Sequence, residues 1–298
     1  MKRTPLVTIV TLLAIGTPAQ AASLFYDDFN ATDGTLLEGY NGYTITTEPS
    51  PATKNAEISG PGLSVAGQTS AGNSAYMYYS MISGAAVDYT ASKNLGSGTF
   101  GSAGGINTFF VSALFKTDEF PETTGAWLKV AIPLDFASGA DRFFAIGLKN
   151  EEYQGTVQDQ IFAEGQGSQY GDHHLASYTE GDTVQVVAKF SIAPMSGLDG
   201  QYRFEVRAVA NPSLTSNPKT WQLITEESNK VGSFEVPSLG LVLARSGSNA
   251  AAGGLIDEIR IGANYADVVG VVPEPETWAM LLAGLGLLAG WRHNRPES

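Results

Sequence analysis

The run Val184-Gln185-Val186-Val187-Ala188-Lys189-Phe190-Ser191-Ile192 and the run Tyr202-Arg203-Phe204-Glu205-Val206-Arg207-Ala208 decide the fold class. In the first, Val184, Val186, Ala188, Phe190 and Ile192 recur at every second position, with Gln185, Lys189 and Ser191 between them. In the second, Tyr202, Phe204, Val206 and Ala208 alternate with Arg203, Glu205 and Arg207. Strand side chains alternate faces, so each run has one apolar and one polar side. Gly197-Leu198-Asp199-Gly200 lies between them, and its Asp-Gly predicts a β-hairpin with a longer loop. Working outward, strands are expected at Leu24–Phe29, Leu63–Ala66, Ala75–Ile82, Thr108–Phe115 and Trp127–Ile132. Others are expected at Arg142–Leu148, Trp221–Thr225, Leu239–Ala244 and Leu255–Ile261. No long amphipathic helix interrupts Ser23 to Ala266. This pattern predicts an all-β chain, an antiparallel β-sandwich of the jelly-roll type.

The chain has 298 residues, 43% of them apolar, and no Cys. That is enough to bury a real core. It excludes a disulfide scaffold, a zinc ribbon and thiol catalysis. Against 17 Lys and Arg stand 30 Asp and Glu, a formal net charge of −13. So acidic a chain is poorly suited to phosphate backbones, which sets nucleic acid aside.

The ends read as sorting segments. Lys2 and Arg3 precede an apolar run, Pro5 to Gly16, and Ala19-Gln20-Ala21 offers a small-x-small cleavage site. Residues 1–21 are therefore expected to be a signal peptide cut after Ala21, handled by the secretion translocase and signal peptidase. The sandwich domain is expected to span 22–266, and the tail 271–298. In the tail, Pro273-Glu274-Pro275 is followed by an uncharged run from Thr277 to Trp291, then Arg292 and Arg295. Such a helix, 277–291, reaches ~22 Å against a hydrocarbon core of ~30 Å. It is expected to span with help from Trp278 and Trp291 at the interfaces and the two arginines in the headgroups. Those arginines predict a cytoplasmic C-terminus.

A Pro-Glu-Pro tripeptide, a short Leu/Gly/Ala helix and a basic end, in this order, resemble the PEP-CTERM sorting signal. The resemblance implies export across the inner membrane of a Gram-negative bacterium that makes exopolysaccharide. It implies processing by an exosortase near Pro273, Glu274 and Pro275, and a destination in the cell envelope, at the surface or in the extracellular matrix. The basic cluster here, Arg292-His293-Asn294-Arg295, departs from a solid arginine run. A plain tail anchor is the alternative.

Two further segments carry a second resemblance. Phe25-Tyr26-Asp27-Asp28-Phe29 and Gly254-Leu255-Ile256-Asp257-Glu258-Ile259-Arg260-Ile261-Gly262 look like the first and last strands of a concanavalin A-like, laminin G-type jelly roll. Simple alternation places Asp257 on one face with Leu255, Ile259 and Ile261. A carboxylate in an apolar row needs a partner, and calcium accepts carboxylate and carbonyl oxygens. The resemblance to glycosidases of this class implies a structural calcium held by Asp257 with two backbone carbonyls, here near Asp27-Asp28 and at Gly62. The alternative for Asp257 is a sheet-rim position satisfied by backbone amides.

Catalytic patterns are sparse. Laminarinase-type glycosidases carry Glu-x-Asp-x-Glu on one strand face, and the chain has no such triplet. Glu151-Glu152 and Glu226-Glu227 are adjacent pairs that diverge in a strand. Asp118, Glu119 and Glu122 read as a solvated acidic turn, with a loosely bound cation as the alternative. His173-His174, beside Asp172, cannot converge on one metal from a strand, though a turn could let them, and a metal or acid-base role is the alternative. Gly96 to Gly101 fits G-x-G-x-x-G without the helix that motif requires. Tyr76, Tyr78, Trp127 and Trp221 are candidates for stacking on sugar rings or for packing. The expected function is a non-catalytic exported domain that binds glycan, such as exopolysaccharide, or builds matrix. The alternative is a polysaccharide-active enzyme, a hydrolase or lyase, on the same sandwich.

Overall fold

In the computed structural model, the residues described are 24–48, 53–65, 68–70, 72–80, 87–96, 107–120, 125–136, 142–153, 156–165, 171–194, 202–212, 218–228, 234–245 and 251–269. Alternating runs pair into two eight-stranded antiparallel sheets, with strands numbered in chain order. The first sheet runs β15 (Gln222–Ser228), β14 (Tyr202–Ala210), β13 (Val184–Pro194), β8 (Thr108–Glu119), β18 (Ala251–Gly262), β6 (Ser74–Ser80), β3 (Thr53–Ser59), with β1 (Phe25–Asp27) also on β18. The second runs β12 (Gly171–Ser177), β11 (Thr156–Gly165), β10 (Arg142–Tyr153), β9 (Ala126–Phe136), β17 (Ser238–Arg245), β7 (Val87–Asn94), β2 (Tyr43–Glu48), with β16 (Phe234–Glu235) on β9. A two-stranded ribbon, β4 (Ser64–Val65) with β5 (Gln68–Thr69), belongs to neither.

The hairpin read from the sequence is β13–β14, paired from Val186↔Ala210 to Pro194↔Tyr202. Its turn residues lie outside the described residues. The first and last strands of the domain pair directly, Asp27 opposite Ile259.

Inward residues of both sheets form one core. Phe109, Phe144, Phe190 and Phe204 are buried within it, with Phe109 and Phe190 rings 4.9 Å apart. Aromatic side chains of this size carry a large share of the burial energy, and truncating one costs roughly 3–5 kcal/mol. A smaller cluster forms on the outer side of the first sheet. There α1 (Tyr265–Val269) packs Tyr265, Val268 and Val269 on Phe110 and Val187, and Ser112 Oγ donates to Val268 O at 2.7 Å.

Strict alternation fails in β18. Ile256 faces the core, and so do Ile259 and Ile261, while Leu255 is only partly buried. The register against β8 slips between Asp257 and Arg260, and Glu258 takes a positive φ of 50°. A β-bulge at Asp257–Glu258 thus resets the pleat. Asp257 does not share a face with Ile259 and Ile261, contrary to the period-two expectation. It lies opposite Leu114, on the outer side of the first sheet.

Candidate functional site

Strand register sets rows across the outer face of the second sheet. One row holds Ser177, Gln160, Lys149, Trp127 and Ala244. The next holds His174, Phe162, Gly147, Lys129 and Val242. Glu164 follows, opposite Ala145. Aromatic and charged side chains pack on one another here. Lys149 Nζ stands 5.5 Å from the Phe162 ring centre, and Lys129 Nζ stands 5.9 Å from that of Phe143. Both ammonium groups are paired, Lys129 with Glu164 at 2.5 Å and Lys149 with Glu151. Phe162, Gln160 and Lys149 are buried, while Trp127 is half-buried. The result is a charge-balanced face on which the Phe162 ring is covered and the Trp127 and Phe143 rings are partly exposed. A partly exposed indole offers a surface on which a sugar ring can stack. Glu151 and Glu164 on this face are each paired with a lysine.

The second candidate is the Asp257 carboxyl group, which is fully buried. Its Oδ2 accepts the Leu63 N–H at 2.7 Å, and its Oδ1 accepts the Glu258 N–H at 2.7 Å. The Ser70 side chain hydrogen-bonds it as well. Burial pushes its pKa up to about 8, offset in part by these bonds. It has no lysine or arginine partner among the described residues. The segments singled out in the sequence do meet here. Gly62 N donates to Gly72 O at 3.2 Å, and a Cβ on Gly62 would run into Ser70 Oγ. A Cβ on Gly72 would run into Asp28 O. The carbonyl that reaches this loop from the first strand is therefore that of Asp28, next to the expected Asp27. Among the described residues, no three His, Asp or Glu side chains cluster as a metal site. An ion at Asp257 would depend on backbone carbonyls, as calcium accepts. The partners that the structure places on this carboxyl group are two main-chain N–H groups and the Ser70 side chain.

Asp27 itself serves a different purpose. Its Oδ2 accepts from Lys93 Nζ at 3.2 Å and from Asn41 Nδ2 at 3.2 Å, inside the protein.

The remaining sequence candidates disperse. Tyr76 and Tyr78 stack at 6.3 Å on the outer side of the first sheet, and Trp221 packs against Phe110 and Tyr265 beside α1. Trp127 is on the other sheet, so the four aromatics do not build one stacking face. Glu226 pairs with Arg203, and Asp118 accepts from Tyr76 OH at 3.3 Å. His174 sits opposite Phe162 and His173 opposite Ala163, on successive positions of β12. Glu122 and residues 97–101 lie outside the described residues. So do Ala21, the signal peptide, the Pro273–Pro275 tripeptide, the 277–291 segment, Trp278, Trp291, Arg292 and Arg295. Among the described residues, no helix is long and apolar enough to cross a membrane.

The described residues end at Val269, and the tail beyond them is assigned by its sequence. Residues 271–295 match the PEP-CTERM protein-sorting motif. A PEP-CTERM motif implies an exported, surface-directed protein with exosortase as its processing partner. No curated protein is matched by the chain. Solved structures resemble it distantly. One is an alginate lyase from Aplysia kurodai, at 7% identity and a TM-score of 0.46 over 81% of this chain and 99% of that one. Another is a carbohydrate esterase from a Shiga toxin-encoding bacteriophage, at 13% identity and 0.47 over 82% and 99%. A third is a pseudo β-1,3-glucanase of Mycobacterium tuberculosis, at 11% and 0.46 over 82% and 100%. Such folds host unrelated activities, so these likenesses assign none to this chain.

Proposed function

We propose that this PEP-CTERM protein is exported from a Gram-negative cell, trimmed by exosortase, and displayed in the envelope or extracellular matrix as a non-catalytic glycan-binding or matrix-structural sandwich. The outer face of the second sheet is the binding surface in this reading. The observation that supports it is the pairing of Glu164 with Lys129 and of Glu151 with Lys149 beside Trp127. Those pairs engage both carboxylates beside the partly exposed Trp127 ring. Calcium, in the same reading, is a structural ion. The Asp257 carboxylate with the carbonyls of Gly62 and of the Asp27–Asp28 segment would hold it, and it would supply charge compensation rather than chemistry.

The test is to incubate the exported protein with a polysaccharide panel and to measure pull-down and newly formed reducing or unsaturated ends together. Pull-down without new ends, weakened by Trp127→Ala, is the expected result. New ends that disappear in Glu151→Gln or Glu164→Gln would establish the enzymatic alternative. For the tail, intact mass of the mature protein should place its end near Pro275. Peptides containing Trp291 in the mature extracellular pool would reject processing.

A further inference from the structure

The β4–β5 ribbon stands outside both sheets, and Leu63, just before it, is tied to Asp257. Beside the ribbon lies a cleft of about 570 Å³. Ser64 and Val65 form one wall, and the connection from Ser177 through Asp182 to Thr183 forms another. Buried Gln185, with Asn211, forms the floor. That floor belongs to the first sheet, since Gln185 lies opposite Leu114, which in turn lies opposite Asp257. The cleft is thus separate from the Trp127 face.

Its chemistry is specific. Asn211 is locked in place, donating its N–H to Gln185 O at 2.7 Å and accepting the Gln185 N–H on Oδ1 at 2.9 Å. Its Nδ2 has no hydrogen-bond partner among the described residues, and neither has the Asp182 carboxylate. Ser64, Ser177 and Thr183 line the same cleft, and no lysine or arginine is among the described lining residues. A carboxylate that accepts hydrogen bonds from two hydroxyls, in one cleft with a fixed amide donor, suits neighbouring hydroxyls on a sugar ring. With Asp182 the charged group among the described lining residues, a carboxylated or sulfated sugar is disfavoured. The volume falls within the usual range for small-ligand sites.

We propose that this cleft binds a neutral saccharide of one or two rings through Asp182 and Asn211. The proposal goes beyond the glycan-binding face described above, and either site can fail alone.

The exported protein is titrated calorimetrically with maltose, cellobiose and lactose, with digalacturonate as the anionic control. At least one neutral disaccharide should bind saturably and digalacturonate should not. Asp182→Ala, and Ser64→Trp to fill the cleft, should each weaken binding tenfold or more, whereas Trp127→Ala should leave it unchanged. Both substituted cleft residues are exposed, so thermal melting of the variants should match the wild type. Absence of saturable binding by all three neutral disaccharides overturns the proposal. So does binding that ignores both cleft variants, binding abolished by Trp127→Ala, or equal affinity for digalacturonate.

Discussion

The Leu63 main-chain N–H donates to Asp257 Oδ2 at 2.7 Å, joining positions 194 residues apart. The bulge at Asp257–Glu258 makes the bond possible. Without the slip in register, the carboxyl group would keep step with Ile259 and Ile261, which face the core. With it, the group turns outward and anchors the segment that leads into β4–β5. One irregularity in the last strand therefore fixes both a buried carboxyl group and a wall of the neighbouring cleft.

The charge at Asp257 gives a pH prediction. Its folded pKa of about 8 lies above the ordinary carboxylate value of ~3.9, so without metal the native state holds the extra proton between those limits. Stability from this group is complete below about pH 4, falls as pH rises, and is gone above about pH 8. In chelator, the melting temperature of wild type relative to Asp257→Asn should fall between pH 5 and pH 8. Calcium at the proposed site would oppose that fall, since it would bind the ionised carboxylate. A hundredfold excess over Kd would add ~2.7 kcal/mol, or ~2–4 °C per kcal/mol for a domain of this size. Identical melting in calcium and in chelator at pH 8 would reject the ion.

Glu258 holds the other side of the bulge. It is buried in the left-handed region at φ 50°, accepts from Tyr26 OH at 2.9 Å, and pairs with the Arg260 guanidinium. Glu258→Ala removes the carboxylate from a buried arginine, and a loss of roughly 3 kcal/mol is expected in urea unfolding. Glu258→Gly relaxes the backbone but also deletes the pair, so it too should destabilise. A gain in stability on Glu258→Gly would mean that backbone strain outweighs the ion pair.

The sequence announced strands where large apolar residues alternate, as in β8, β13 and β14. It hid β2, β3, β7, β11 and β12. Their inward residues include Ala56, Ala91, Ala163 and even Lys93, so hydrophobic contrast between faces is weak. The outer face of the second sheet was hidden for the same reason. Lys149, Phe162 and Glu164 become neighbours only through the β10–β11 register. The alternation of Gln160, Phe162 and Glu164 was the available signal. Asp257 stood out early because a carboxylate among isoleucines is conspicuous, yet the face it occupies depends on a bulge that no residue type announces.

Gly147 tests how closely the strands approach under that face. A Cβ there would collide with Leu128 O on the paired strand. Gly147→Ala must therefore push β9 and β10 apart, and should cost about 1–3 kcal/mol, as overpacking does. The same displacement would move Phe162 and Lys129, its cross-strand neighbours. Glycan pull-down should weaken along with stability. Wild-type melting in Gly147→Ala would show that the strands have slack.

The Asp27–Lys93 pair ties the sheets together, because β1 belongs to the first and β7 to the second. Lys93 Nζ also lies 4.8 Å from the Phe25 ring centre and 5.3 Å from that of Tyr43. Withdrawing two charges from water offsets most of their attraction, whereas removing one strands the other. Asp27→Leu should leave the ammonium facing aromatic rings without its carboxylate. Lys93→Met should leave the carboxylate with the weaker donors Asn41 and the Phe29 N–H. Each single variant is expected to lose roughly 3–5 kcal/mol in denaturant unfolding. The double variant Asp27→Leu/Lys93→Met replaces both charges by apolar groups and should recover most of that loss. The recovery is read as the coupling energy of a double-mutant cycle. Losses that simply add would show that each residue acts alone, with Lys93 held by its rings and Asp27 by Asn41.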